Sequence, residues 1–299
     1  MFEFHDGAAL LELCTSEGIS ISKAMLLREE ALSETPSEAL LREMRENLTT
    51  MKQAVERGLS GSVRSLSGLS GGEANRLYEY SKAAPLLGSE ACAAAAASMA
   101  VVEVNAAMGR IVASPTAGAC GILPGVLLTL APKRGWSDEA LVQALFCAGA
   151  IGLLIARHAS ISGADAGCQA ETGSAASMAA AAVVELSSGT PQMCLHAAAI
   201  ALKNVLGLVC DPVCGLVESP CIKRNALGAV NALLAADLAL SGVKSLIPFD
   251  EVVEAMRSVG VLMRPELRET ALGGLAATPT AKRLTNTLFA KRENPYIKG

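Results

Sequence analysis

DAGCQAETGSAASMAAAA, residues 165–182, passes from a polar turn centred on a cysteine into a run of small, apolar residues. Its second half alternates with neither period 2 nor a single apolar stripe. It predicts a helix buried on every side, since a helix that is apolar all round must be covered. The same grammar recurs between residues 85 and 240. Alanine-rich stretches with almost no charge alternate there with Gly/Pro punctuation: SPTAGACGILPG, SGADAGCQAETGS, SSGTPQ and CDPVCGLVESPC. No convincing period-2 strand is present, and no strand leads into a GxGxxG turn. The expected fold is mainly α, a compact multi-helix catalytic domain whose buried Ala/Gly-rich helices are joined by short Gly/Pro loops.

Composition agrees with close helix packing. Of 299 residues, 51% are hydrophobic but only 3% aromatic, so the apolar mass is Ala, Leu, Val, Met and Gly. Small side chains let helix backbones approach one another. A chain of this length buries a full core without disulfides. Lys+Arg 25 against Asp+Glu 29 gives a net charge of −4, with no basic stripe, which argues against nucleic-acid binding. Mean hydropathy is +0.39, yet the apolar runs are broken by Glu103 and Arg110, by Lys203 and by Asp237. A membrane-spanning role is therefore not expected. The N-terminal MFEFHDGAALLELC lacks a basic leader region, and nine cysteines without an export signal point to a reducing cytoplasm.

Outside the central region the pattern becomes amphipathic. TPSE, residues 35–38, reads as a helix start, with Thr35 as cap, Pro36 in the first turn and Glu38 at the capping-box position. Leu41, Met44, Leu48, Met51 and Val55 then form one stripe, and Gly58 is the expected stop. Residues 61–75, GSVRSLSGLSGGEAN, read as a loop. PFDEVVEAMRSV, residues 248–259, forms another amphipathic helix, followed by a loop and TPTAKRLTNTLF. A single domain over 1–299 is expected, with outer helices in 1–60, the apolar core in 85–240 and C-terminal helices in 245–299.

Four cysteines sit in polar, punctuated loops: Cys168 in GCQAETG, and Cys210, Cys214 and Cys221 in CDPVCGLVESPC. Their spacing matches neither a zinc-finger pair nor a ferredoxin run. Two readings stay open, buried free thiols or the ligands of a metal or cluster. Cys14, Cys92, Cys120, Cys147 and Cys194 read as packed thiols, and Cys147→Ala is expected to be mild. SPTAGACGILPG, Ser114–Gly125, offers hydroxyls and unhindered amides to a carboxylate or phosphate. Its other reading is an interhelical turn whose glycines serve packing. No GKS or GKT follows it, which excludes a Walker loop.

Together ASPTAGACGILPG, SISGADAGCQAETGSAASMAAA, GLVCDPVCGLVESPCIKRNA and ETALGGLAATPTAK resemble the iron–sulfur L-serine dehydratases, and more narrowly the α chain of their two-chain form. The resemblance covers roughly residues 100–285. It implies a cytoplasmic lyase of amino-acid degradation and gluconeogenesis, working with a separate β chain as a hetero-oligomer such as a heterodimer. It also implies a [4Fe–4S] cluster on Cys168, Cys210 and Cys221, with one iron open to L-serine. Cys214 would be a bystander, or a fourth ligand in a resting state.

Dehydrating serine means removing an unacidic α-proton and expelling hydroxide. Lys203 and Lys223 lack the setting of a pyridoxal lysine, so an open iron acting as Lewis acid supplies the missing electrophile. Ser114, Thr116 and the amides around Gly118 are the candidates for holding the substrate carboxylate. Glu171 is the candidate partner of its ammonium group, or else a structural hydrogen-bond acceptor. Arg224 and Asn225 are placed behind the ligands, though Arg224 could instead pair with a core carboxylate. The general base is unassigned, because His5 is near the terminus while His158 and His196 fall in apolar helical stretches. Two alternatives remain: a related cluster-dependent L-cysteine desulfidase, and a non-catalytic helical protein holding zinc on Cys168, Cys210, Cys214 and Cys221.

Overall fold

The computed structural model describes residues 2–290. Met1 and positions 291–299, the end of the expected 245–299 helical segment, lie outside the described residues. Thirteen α-helices are present among the described residues and no strands: α1 Gly7–Glu17, α2 Ile21–Ser33, α3 Ser37–Leu59, α4 Glu73–Ser81, α5 Ser89–Ala106, α6 Ile122–Arg134, α7 Asp138–His158, α8 Gly163–Ala166, α9 Ser174–Leu186, α10 Pro191–Lys203, α11 Cys221–Leu240, α12 Phe249–Leu262 and α13 Pro279–Ala290. The protein is an all-α fold.

Two alanine-rich helices carry the centre. In α5 the run from Ala94 to Val104 is buried throughout, and α9 is buried from Ser174 to Val184. Around α5 pack α3, α4, α6 and α11, while α7, α10, α11 and α6 surround α9. Helix α11 thus touches both. Small residues at the crossings make this possible. A Cβ added to Gly125 would stand 2.5 Å from Ser98 N, and one added to Gly121 would stand 1.9 Å from Ser98 O. Those two glycines of the SPTAGACGILPG loop serve the packing of α6 on α5.

Polar side chains fix the ends. Asp6, Ser20, Ser137 and Thr190 cap α1, α2, α7 and α10 by accepting from Ala9, Lys23, Ala140 and Met193 N–H groups. Glu103, the charge that interrupts α5, is itself buried. Its carboxylate accepts from the N–H groups of Gly72, Glu73 and Ala74 at 2.8–3.0 Å and so caps α4 from a neighbouring helix. That arrangement satisfies both the buried charge and the free amides of the helix start.

The structure corrects several sequence readings. Thr35 does not cap α3. The helix begins at Ser37, whose N–H and hydroxyl donate to the Glu30 carboxylate on α2 at 2.9 and 2.7 Å, with Pro36 just outside the helix. A carboxylate from the preceding helix does the work that the local motif appeared to offer. Gly58 does not stop α3, which runs on to Leu59. Instead the glycine lets α3 press on α5, where an added Cβ would lie 2.3 Å from Ala100 O. The expected 61–75 loop ends early, because Glu73, Ala74 and Asn75 already belong to α4.

Nor are all apolar runs interrupted by charge. Helix α7 is long and apolar enough to cross a membrane, but two thirds of its apolar window is buried inside the protein, against α2, α3 and α9. It serves here as a core helix. His158 closes α7 as an exposed residue, its Nε2 2.5 Å from His5 O, instead of lying in an apolar stretch.

Candidate active site

Cys168 sits just before a π-helical turn, Gln169–Gly173, that leads directly into α9. Such turns displace side chains from regular helical register and are frequent at functional sites. Gly167, with φ 77°, lets the chain enter this turn. Gln169 pins the turn from within, accepting from Gly207 N–H at 2.8 Å and donating to Met256 O at 3.1 Å. The segment before Cys210 is thereby drawn against Cys168.

Cys210 is held by its backbone. Its N–H donates to Leu267 O at 2.8 Å, and its carbonyl accepts from Glu269 N–H at 2.7 Å. Next to it Asp211 accepts from Leu275 N–H at 2.7 Å. The distant ETALGGLAATPTAK segment is therefore a strut for the cysteine loop. Gly274 is required there, since at φ 56° an added Cβ would stand 2.3 Å from Asp211 Oδ2. Cys221 starts α11, and all three thiols are buried.

The Sγ atoms of Cys168 and Cys210 and a carboxylate oxygen of Glu171 lie within 4.8 Å of one another. Cys221 is outside that group but close enough for the charges of Cys168 and Glu171 to act on it; burial and those charges push its thiol up to about 12. Cys168 is the acidic member of the set. A hydrogen bond from Cys210 lowers its pKa first, against burial, and Thr172 and the Arg224 charge lower it further. Cys210 moves upward as the donor of that pair. Two close thiols beside a carboxylate, with a third thiol nearby, form a donor set suited to a thiophilic metal. Being nearly dry, the site also gives unpaired thiolates little solvation.

Thr116, Gly118 and Glu171 come together. Thr116 Oγ1 donates to Glu171 Oε1 at 2.7 Å, and a Cβ on Gly118 would stand 2.9 Å from the same oxygen. Burial raises the Glu171 pKa, the Thr116 hydrogen bond opposes that rise, and the charge of Glu269 adds to it. Ser114 is buried in the same loop, where its hydroxyl donates to Cys120 O at 3.4 Å. Asn225 ties this loop to the cysteine helix. Its Nδ2 donates to Gly118 O at 2.7 Å and Cys221 O at 2.9 Å, while its Oδ1 accepts from Gly121 N–H at 3.0 Å.

Arg224 pairs with Asp211 at 2.8 Å and donates to Val209 O at 2.8 Å. Burial works against its charge, but Cys168 and Asp211 outweigh that and raise its pKa. Asp211 Oδ1 touches the guanidinium without a well-formed hydrogen bond. Cys214 faces elsewhere. It is half-buried, at φ 59°, and accepts from Thr285 Oγ1 of α13 at 3.3 Å.

The sequence profile described as "Serine dehydratase alpha chain" matches residues 16–276. This chain belongs to that family. Among the serine dehydratase relatives, "Probable L-serine dehydratase, alpha chain" of Bacillus subtilis (strain 168) is 49% identical over 287 residues, covering 96% of this chain and 95% of that one. "L-serine dehydratase, alpha chain" of Peptoniphilus asaccharolyticus is 42% identical, over 92% of this chain and 94% of its own length. "L-serine dehydratase" of Streptomyces coelicolor is 40% identical over 92% of this chain, but only 61% of that longer protein is covered.

Three features of this serine dehydratase family site escaped the sequence reading. Gly163 presses on it, since an added Cβ would meet Glu171 Oε2 at 2.7 Å and Cys210 Sγ at 3.0 Å. Thr172 Oγ1 lies 3.5 Å from Cys168 Sγ. Glu269 brings a second carboxylate charge to bear on Glu171 and Cys210. Each sits inside a stretch on which the resemblance rests, and only their i,i+4 or loop-to-loop partners reveal the role. None of the three histidines is among the residues that meet here. His196, half-buried on α10, contacts Gln192 at 3.4 Å.

Proposed function

We propose that this chain is the α subunit of an L-serine dehydratase, a lyase converting L-serine to pyruvate and ammonia in a reducing cytoplasm. The observation that carries this reading is the meeting of Cys168, Glu171 and Cys210 within 4.8 Å, with Cys221 alongside, in a member of the serine dehydratase family. A [4Fe–4S] cluster held by Cys168, Cys210 and Cys221 would supply, when bound, a Lewis-acidic iron for the serine hydroxyl.

The chain's own residues do the rest. The Ser114 and Thr116 hydroxyls, turning from Cys120 O and Glu171, receive the substrate carboxylate with the amides around Gly118, and Glu171 faces its ammonium group. Asn225 keeps that loop at a fixed distance from Cys221, so substrate and metal site share one frame. Arg224 puts positive charge beside Cys168 and favours its thiolate form. Loss of the α-proton and of hydroxide gives aminoacrylate. Its imine tautomer then takes up water to give pyruvate and ammonia.

A separate β chain is the expected partner. Relatives matched over 94–95% of their own length carry "alpha chain" in their names, whereas two relatives matched over 61–62% of theirs are called simply "L-serine dehydratase". The general base is assigned to no residue of this chain.

The test is anaerobic co-purification of this chain with a candidate β chain, followed by iron and sulfide analysis and pyruvate assays on L-serine, L-cysteine and L-threonine. Iron-containing protein that prefers L-serine is expected. Iron-free protein, or pyruvate formed preferentially from L-cysteine, overturns the assignment.

A further inference from the structure

A second group of donors lies in the core, away from the loops that form the site above. The Sγ atoms of Cys147 on α7 and Cys194 on α10, with a carboxylate oxygen of Glu185 on α9, lie within 4.8 Å of one another. Both thiols are fully buried. The neighbouring Cys194 thiol, burial and the Glu185 charge together raise the Cys147 pKa well above its ordinary value. Cys14 on α1, 2% exposed, stands close enough for Glu185 and Cys194 to act on it; burial first, then those two groups, push its thiol up to about 12.

A carboxylate among cysteines in an otherwise apolar core needs an explanation. Part of it is local, since Glu185 Oε2 accepts from Ser22 N–H at 3.2 Å and so anchors the start of α2. That contact leaves the two cysteines unexplained, and packing alone would be served as well by alanine or valine. Tetrahedral zinc with bonds of about 2.3 Å to sulfur and about 2.1 Å to oxygen places its donors roughly 3.5–3.8 Å apart. A trio already within 4.8 Å reaches that spacing by small side-chain rotations. A surface cleft of about 210 Å³, lined by Ala140, Gln143, Ala144, Glu185 and Leu186, reaches Glu185 from outside and offers an ion an approach to the trio.

We propose that Cys147, Glu185 and Cys194 form a second metal site for a thiophilic divalent ion of the zinc class, the fourth corner left to water. The site is structural. It joins α7, α9 and α10 at one point and reaches the start of α2 through Ser22. It neither uses the residues of the proposed active site nor depends on the reading of that site. Cys147 and Cys194 are then ligands instead of inert packed thiols.

The test separates the two centres. A C168S/C210S/C221S variant of the full chain is saturated with Zn²⁺ and desalted, and its metal is counted by mass spectrometry. One retained equivalent of zinc is expected, and Co²⁺ in its place should give thiolate-to-cobalt absorption bands. Adding C147S and C194S, or E185Q with C194A should the first pair not fold, should remove both signals. Zinc-free protein from the triple variant overturns the proposal. So does zinc that survives both added sets of substitutions. Iron and pyruvate formation in the unsubstituted chain report on the active site independently of either result.

Discussion

Asn225 Nδ2 donates to Gly118 O across 2.7 Å of space and 107 positions of sequence. The same amide group bonds Cys221 O, and its oxygen takes Gly121 N–H. One fully buried side chain thus couples the loop assigned to substrate with the helix that presents a proposed ligand. Removing it strands at least two buried backbone groups, at about 1–3 kcal/mol each.

Asn225→Ala should therefore lower the stability of the chain by roughly 3 kcal/mol and raise KM for serine. Asn225→Asp should be worse, because a carboxylate would face two carbonyl oxygens. Urea unfolding under anaerobic conditions, with steady-state kinetics on the same samples, checks both effects. Unchanged stability in the alanine variant would show that the bridge is dispensable.

The four loop cysteines should split three to one. Cys168→Ala, Cys210→Ala and Cys221→Ala should each lose iron and turnover. Cys214→Ala should keep both, since its sulfur is engaged by Thr285 on α13. Iron analysis of the four proteins, purified side by side without oxygen, decides the matter.

Glu171→Gln keeps the shape of the side chain and removes its charge. If the carboxylate holds the substrate ammonium, losing one charge-assisted hydrogen bond of about 1.5–3 kcal/mol lowers kcat/KM roughly 10- to 150-fold. Iron content should be unchanged. A variant as active as the parent would return Glu171 to a structural acceptor for Thr116.

Gly58→Ala probes the fold away from any chemistry. The new methyl group would meet Ala100 O and C at 2.3 and 2.5 Å, both backbone atoms that cannot swing aside. Overpacking of this kind costs typically 1–3 kcal/mol. The thermal midpoint of the metal-loaded chain should fall by several degrees.

Much of the fold was legible because alanine-rich, charge-free stretches leave little choice but buried helices, and α5 and α9 follow that logic. Boundaries were less legible wherever a distant residue decides them. Thr35 looked like a cap by its local motif, yet Glu30 reaches over from α2. Gly58 looked like a terminator, yet its role is set by Ala100 on another helix. In the site, Cys168, Glu171, Cys210 and the Gly118 loop were singled out through the family resemblance, their spacing alone leaving packed thiols and an interhelical turn open. Their supports were not, because Gln169, Asp211 and Gly274 act through partners 38 to 87 positions away. The Cys147–Glu185–Cys194 trio has no spacing signature at all, since three separate helices contribute one donor each.

Cys210 takes both of its main-chain hydrogen bonds from residues 267–269. During synthesis, then, this sulfur has no settled position until that stretch has left the ribosome, although Cys168 and Cys221 emerge well before it. Assembly of the proposed cluster on these thiols would thus be a late event in the life of the nascent chain. A polypeptide cut short before residue 267 would carry every proposed ligand and still lack the geometry to use them.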